Sequence, residues 1–229
     1  MGTRAPTWWV DDAAHTLHRG SRAFPCDRDV VRLALWREYA LLLSADTDCL
    51  SLWDEEGLVR TARVGVYPQD MALSGDVAYV CGGADCRLHA LTLPSLYGCD
   101  EVDLPGMPER IAIHQGLVHL LMLQTEPELR TLLAAWRPAD GTLHRQMVLP
   151  GIPGALTASA DGLWIGATGQ AAHLPYGAAA PDVLVDGVGL PERIDVFPDG
   201  VTITDGLTGR RIRLHHRNEK ERSSCDERS

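Results

Sequence analysis

GMPERIAI at residues 106–113 and GLPERIDV at residues 189–196 agree at Gly, Pro, Glu, Arg and Ile. Looser copies are VYPQDMAL at residues 66–73, GIPGALTA at residues 151–158 and AFPCDRDVVRLAL at residues 23–35. Their prolines, Pro25, Pro68, Pro108, Pro153 and Pro191, fall at spacings of 43, 40, 45 and 38 residues. A fixed period of about 40 residues is the signature of a repeat architecture.

Up to three more strand-like runs follow each proline, separated by turn signals, with period-two alternation and β-branched or aromatic content. The second runs begin at Tyr39, Val77, Leu117, Leu163 and Val201, and the third at Cys49, Cys86, Arg130, Ala171 and Arg210. Fourth runs begin at Val59, Asp100, His144 and Asp182, and the last repeat has none. Residues 14–24, AHTLHRGSRAF, precede the first proline as a fourth strand should, and are expected to complete the last unit. Such a strand would protect two sheet edges that otherwise invite pairing. Four strands per unit, tight turns and no helical pattern predict an all-β fold: a five-bladed β-propeller of four-stranded antiparallel blades, closed by the N-terminal strand. The expected organisation is an N-terminal extension at 1–13, a single propeller at 14–217 and a disordered, charged tail at 218–229.

The pattern P-x-R-I-x-V-x-P-D-G, complete at residues 191–200, resembles the YVTN-type and NHL-type repeat propellers. The resemblance spans roughly residues 14–216. It implies the propeller fold, and since that group is functionally mixed, it implies no single activity. The dipeptide Trp53-Asp54 lacks the Gly-His that accompanies it in WD40 repeats, and Gly82-Gly83 is a single kelch-like pair.

A formal charge of -10, from 31 acidic against 21 basic residues, speaks against a phosphate backbone as partner. No apolar run reaches the length of about 18 residues needed to span a bilayer, so no membrane partner is expected. The first ten residues lack a secretory pattern, and a cytoplasmic location is the default expectation. Cysteines there are expected as reduced thiols.

In the meander of a propeller blade, the proline loops and the turns between second and third strands open on one face. Candidate ligand-binding residues at a channel rim are therefore Arg28, Asp29, Gln69, Asp70, Glu109, Arg110, Glu192 and Arg193, with Gly154 leaving one junction bare. Arginine forks suit a carboxylate or other anion, and the acids can serve as bases or ligands to a hard cation. The structural alternative is that Arg–carboxylate pairs staple neighbouring blades. Cys26, Cys49, Cys81 and Cys86 fall on the same face, with Asp48-Cys49 aligned over Asp85-Cys86. They lack zinc spacing and a partner base, and small buried residues beside turns are the favoured reading.

The leading functional expectation is a non-catalytic scaffold binding a protein or small acidic ligand on the proline-loop face, with no cofactor. One alternative is a metal-dependent hydrolase or lyase with a divalent cation in the channel, by analogy with gluconolactonase-type propellers and virginiamycin B lyase. Gluconolactonase-like channels use asparagines beside carboxylates to hold a divalent cation, and the only asparagine here is Asn218. The other alternative is a structural subunit attached through Trp8, Trp9 or the tail.

Overall fold

A computed structural model describes residues 7–215, in which β-strands and turns are the regular structure. The expected tail at 218–229 lies outside the described residues. Six antiparallel sheets follow one another along the chain. The first holds β1 (Trp8–Asp11), β2 (Thr16–Arg19) and β3 (Arg22–Pro25), and the second β4 (Val30–Trp36), β5 (Tyr39–Ser44), β6 (Cys49–Asp54) and β7 (Gly57–Arg63). The third holds β8 (Pro68–Ser74), β9 (Val77–Gly82), β10 (Arg87–Thr92) and β11 (Tyr97–Asp103). The fourth is β12 (Met107–His114), β13 (Leu117–Gln124), β14 (Arg130–Arg137) and β15 (Thr142–Pro150). The fifth is β16 (Pro153–Ala158), β17 (Gly162–Ala167), β18 (Gly169–Pro175) and β19 (Val183–Val188), and the sixth β20 (Pro191–Phe197), β21 (Gly200–Asp205) and β22 (Arg211–His215). The strands group into two compact units divided between Leu149 and Pro150.

Among the described residues the sheets therefore number six, against the five blades expected. Residues 14–24 do not complete the last sheet: they form the β2–β3 hairpin, hydrogen-bonded to β1, while β20–β22 form a three-stranded sheet. The N-terminal sheet begins at Trp8, inside the segment expected to be an extension. Trp8 is the reason, since it is buried with Leu17, Ala40, Leu42 and Trp53 in an apolar cluster between the first and second sheets. A four-residue strand such as WWVD is too short for its alternation to stand out against the surrounding turns.

Backbone bonding fixes how the repeats correspond. The carbonyls of Asp29, Tyr67, Ile152 and Leu190 accept hydrogen bonds from Ala45, Gly83, Thr168 and Gly206, which makes these four residues equivalent. The first strands then begin at Val30, Pro68, Pro153 and Pro191, and Pro108 takes the same place by register. Each of these five strands carries a register shift just after its start, with Val31, Gln69, Glu109 and Glu192 as the inserted residue in four of them and the shift in β16 falling between Pro153 and Leu156. A bulge bends a strand and re-aims the side chain that follows. Pro25 thus closes β3 and is not a repeat proline. Proline suits the start of a strand because the missing N–H falls outside the ladder, and Val30 fills that position in the second sheet.

Cores lie between consecutive sheets within each unit. Leu41, Leu43, Leu50 and Leu52 face Met71, Val80 and Leu91, and Cys81, Leu88 and Tyr79 face Ile111, Leu120 and Trp136. In the second unit, Ala155, Trp164 and Ala171 face Ile194, Val201 and Ile203.

Candidate functional site

The residue after the bulge is Arg32, Asp70, Arg110 and Arg193 in four of these strands, and Ala155 holds the equivalent place in β16. In the first unit this puts one carboxylate between two guanidinium groups on three neighbouring first strands. Asp70, 5% exposed, ion-pairs with Arg32 at 3.2 Å. Its Oδ2 accepts the Ile111 N–H at 3.2 Å and its Oδ1 accepts the Met71 N–H at 2.9 Å. One side chain thereby ties β4, β8 and β12 together, as the stapling alternative requires, though through Arg32 and not Arg28. The sequence signal for Arg32 was present in VVRLAL but concealed by aligning on Pro25.

Burial raises the Asp70 pKa above the ordinary carboxylate value, outweighing Arg32, the two N–H donors and Arg110. Glu109 is raised by burial too, against the pull of Arg110. Cys81 lies opposite Asp70 in the ladder and is fully buried. Its thiol is pushed well above its ordinary value by burial, with Asp70 and Glu109 adding to the shift and Arg110 opposing it. A buried, protonated thiol is a poor nucleophile and a poor metal ligand. Arg110, half-buried, donates from Nη1 to the Glu109 carbonyl at 2.7 Å, and no ion pair to it is found among the described residues.

Asp70, Glu109, Arg110 and Cys81 are thus brought together, and Gln69 sits beside them as the bulged residue of β8. Arg28 and Asp29 are exposed in the loop before β4, where their carbonyls bind Ser44 Oγ and the Ala45 N–H. Glu192 and Arg193 are exposed in the second unit, where Arg193 Nε reaches Asp195 at 2.8 Å. At the bare junction, a Cβ on Gly154 would lie 2.2 Å from the Pro191 carbonyl oxygen, so β16 and β20 approach too closely for a side chain.

Cys26 and Cys49 line one cavity of about 420 Å³, while Cys86 lines another of about 430 Å³ with Leu104, Met107 and Glu126. All four predicted thiols are free. The turn equivalence also slips by one from the sequence alignment. Asp48 and Cys86 are the matching residues, both at positive φ, and their carbonyls accept the Val64 and Leu104 N–H groups. Among the described residues, no group of three or more His, Cys, Asp or Glu is disposed to hold a metal ion.

His89 is not among the residues that the repeat pattern points to. Its Nε2 lies 3.0 Å from Asp85 and its Nδ1 3.4 Å from Glu101, at the edge of a cavity of about 400 Å³ that Arg63 and Asp100 also line. This histidine sits three residues beyond Cys86, a spacing that alternation in β10 could have flagged. Of the two N-terminal tryptophans, Trp8 is core, and Trp9 is 47% exposed and stacks on His18 at 3.9 Å.

No family model matches the chain, and no curated protein matches it. Solved structures do. The β-propeller domain of Cps50 (Swd1) from Myceliophteria thermophila aligns at a TM-score of 0.61 and 12% identity, covering 77% of this chain and 64% of that one, under two thirds of its length. A chain of the nidogen–laminin complex aligns at 0.69 and 14% identity, covering 85% and 79%. A chain of Kuenenia stuttgartiensis hydrazine synthase aligns at 0.66 and 13%, covering 100% and 82%. At such identities the likeness is one of fold, and the repeated antiparallel sheets described above are those of β-propeller neighbours.

Proposed function

We propose that the chain is a non-catalytic binding scaffold of propeller type that engages a carboxylate through Arg110, whether carried by a small acidic ligand or by an acidic side chain of a partner protein. The observation that carries this reading is the half-buried Arg110 guanidinium, bonded to a backbone carbonyl and near enough to Asp70 and Glu109 to act on their charge, but with no acid within ion-pair distance among the described residues. Of its predicted companions, Arg193 is occupied by Asp195, and Arg28 stands apart. A planar guanidinium with free donors recognises a carboxylate by two parallel N–H···O bonds. The buried Cys81 thiol, with its raised pKa, supports binding over nucleophilic chemistry. No observation favours the metal-dependent alternative.

Calorimetric titration with succinate and with a short Glu-rich peptide tests the reading. Arg110→Gln is expected to weaken binding of the preferred probe about tenfold or more, and Arg193→Gln to leave it unchanged. If neither probe binds the wild-type chain at millimolar concentration, the carboxylate reading is wrong.

A further inference from the structure

The three-stranded N-terminal sheet is incomplete in a specific way. In the turn before β2, His15 has a positive φ of 50° and its carbonyl accepts the Cys26 N–H, as Asp48 does for Val64 and Cys86 for Leu104. Ladder register agrees: Asp11 pairs with Thr16 as Ser44 pairs with Cys49 and Gly82 with Arg87. Strands β1, β2 and β3 are therefore the second, third and fourth strands of a repeat. The strand the sheet lacks is the first. Among the described residues, β1 is hydrogen-bonded on one side only, to β2.

A second observation, on a different sheet, borders the same edge. Leu33 and Leu35 of β4 lie on one side of their strand, and Leu33 packs into the cluster shared with Trp8 and Leu17. That side of β4 faces the N-terminal sheet. Leu35 is 54% exposed, whereas its equivalents Leu73 and Ile113 pack against the cores beside them. Likewise Leu33 is half-buried, where its equivalents Met71 and Ile111 are 1% and 4% exposed. In the complete sheets, the neighbouring first strand supplies the cover that β4 lacks.

We propose that the open edge of β1 and the uncovered face of β4 form a strand-acceptor site, which takes an extended segment of a partner protein with apolar side chains at alternate positions. Main-chain pairing with β1 supplies affinity, and the alternate side chains cover Leu33 and Leu35. The chain's own segments outside the described residues do not fit this chemistry: MGTRAP at 1–6 and HRNEKERSSCDERS at 216–229 have no alternating apolar pattern. The apolar strands of a second copy are already committed to their own sheets.

The repeats themselves provide the probe, a fluorescent synthetic peptide of residues 106–114, GMPERIAIH, which has the first-strand pattern. The full chain is expected to bind it in fluorescence anisotropy and, on binding, to slow hydrogen exchange at the amides of Trp8–Asp11. A scrambled peptide, and one N-methylated at alternate amides, should bind about tenfold more weakly or worse. Leu35→Asp, at an exposed position, should keep the thermal midpoint and lose the peptide to a similar degree. Absence of binding, binding without protection of β1, or equal binding by the N-methylated peptide would each overturn the proposal. So would a homodimer in which the β1 amides are already protected. Arg110→Gln should leave peptide binding intact, so failure here is separable from failure of the carboxylate reading.

Discussion

Two aspartates respond to their surroundings in opposite senses. Asp205 accepts N–H groups from Gly189, Leu190 and Leu207, at 3.0, 3.2 and 2.9 Å, and these donors pull its pKa down to about 2. An unfolded aspartate titrates at about 3.9. The Asp205 carboxylate therefore contributes stability in full above about pH 4, and that contribution is lost as the pH falls towards 2. Asp205→Asn, which cannot accept all three donors equally, should unfold more easily in urea at pH 6 and lose less between pH 4 and pH 2 than the wild type. Asp70 runs the other way, since its raised pKa makes the folded state the better proton acceptor. Its contribution is present below the unfolded value and falls as the pH rises through the raised one. Asp70→Asn should flatten that part of the pH–stability curve above about pH 4, measured by urea midpoints. Neither residue's titration was legible in the sequence. An acid beside an arginine looks the same whether the guanidinium lies on the next strand within the ion-pair limit of about 4 Å or is turned to water.

Among the elements, the strands were the most legible part of the chain. Runs predicted from Tyr39, Val77, Leu117 and Cys49 are strands with those starts, because each is a short, almost continuously buried apolar run bounded by polar turns. Correspondence between strands was harder to read. Proline marks four of the five first strands but also ends β3, so the local pattern AFPCDRD imitated a repeat start and displaced the second-sheet site from Arg32 to Arg28. The bulge that re-aims Asp70 and Arg110 leaves no mark in composition at all. Close strand approach leaves a clearer one, in glycine. Gly154→Ala would push a methyl against the Pro191 carbonyl and should cost about 1–3 kcal/mol, read as a lower urea midpoint. Gly98→Ala is the control, because a Cβ there meets nothing within 4 Å. It should stay within about 0.5 kcal/mol of wild type.

At the scale of the whole molecule, the period led to a propeller-type fold and miscounted its sheets for a single reason. The N-terminal sheet has no first strand, and the first strand was the only one with a recognisable signature. What remained, WWVD and a short hairpin, read as an extension and a spare fourth strand. The core distinguishes the two descriptions. An extension contributes little, but Trp8 is 7% exposed, packs near Phe24 at 6.4 Å between ring centroids, and has the Arg19 guanidinium 5.1 Å from its own ring. Trp8→Ala is therefore expected to destabilise the first unit by about 3–5 kcal/mol, the range for emptying a buried tryptophan site. Trp9→Ala, which removes an exposed ring, should cost under about 1 kcal/mol. Urea denaturation of both variants, followed by hydrogen exchange at β5 and β6 amides, separates the descriptions. Equal, small losses would make residues 7–13 an appendage, while the expected asymmetry makes β1 part of the fold and its edge, unpaired among the described residues, a feature of a folded sheet.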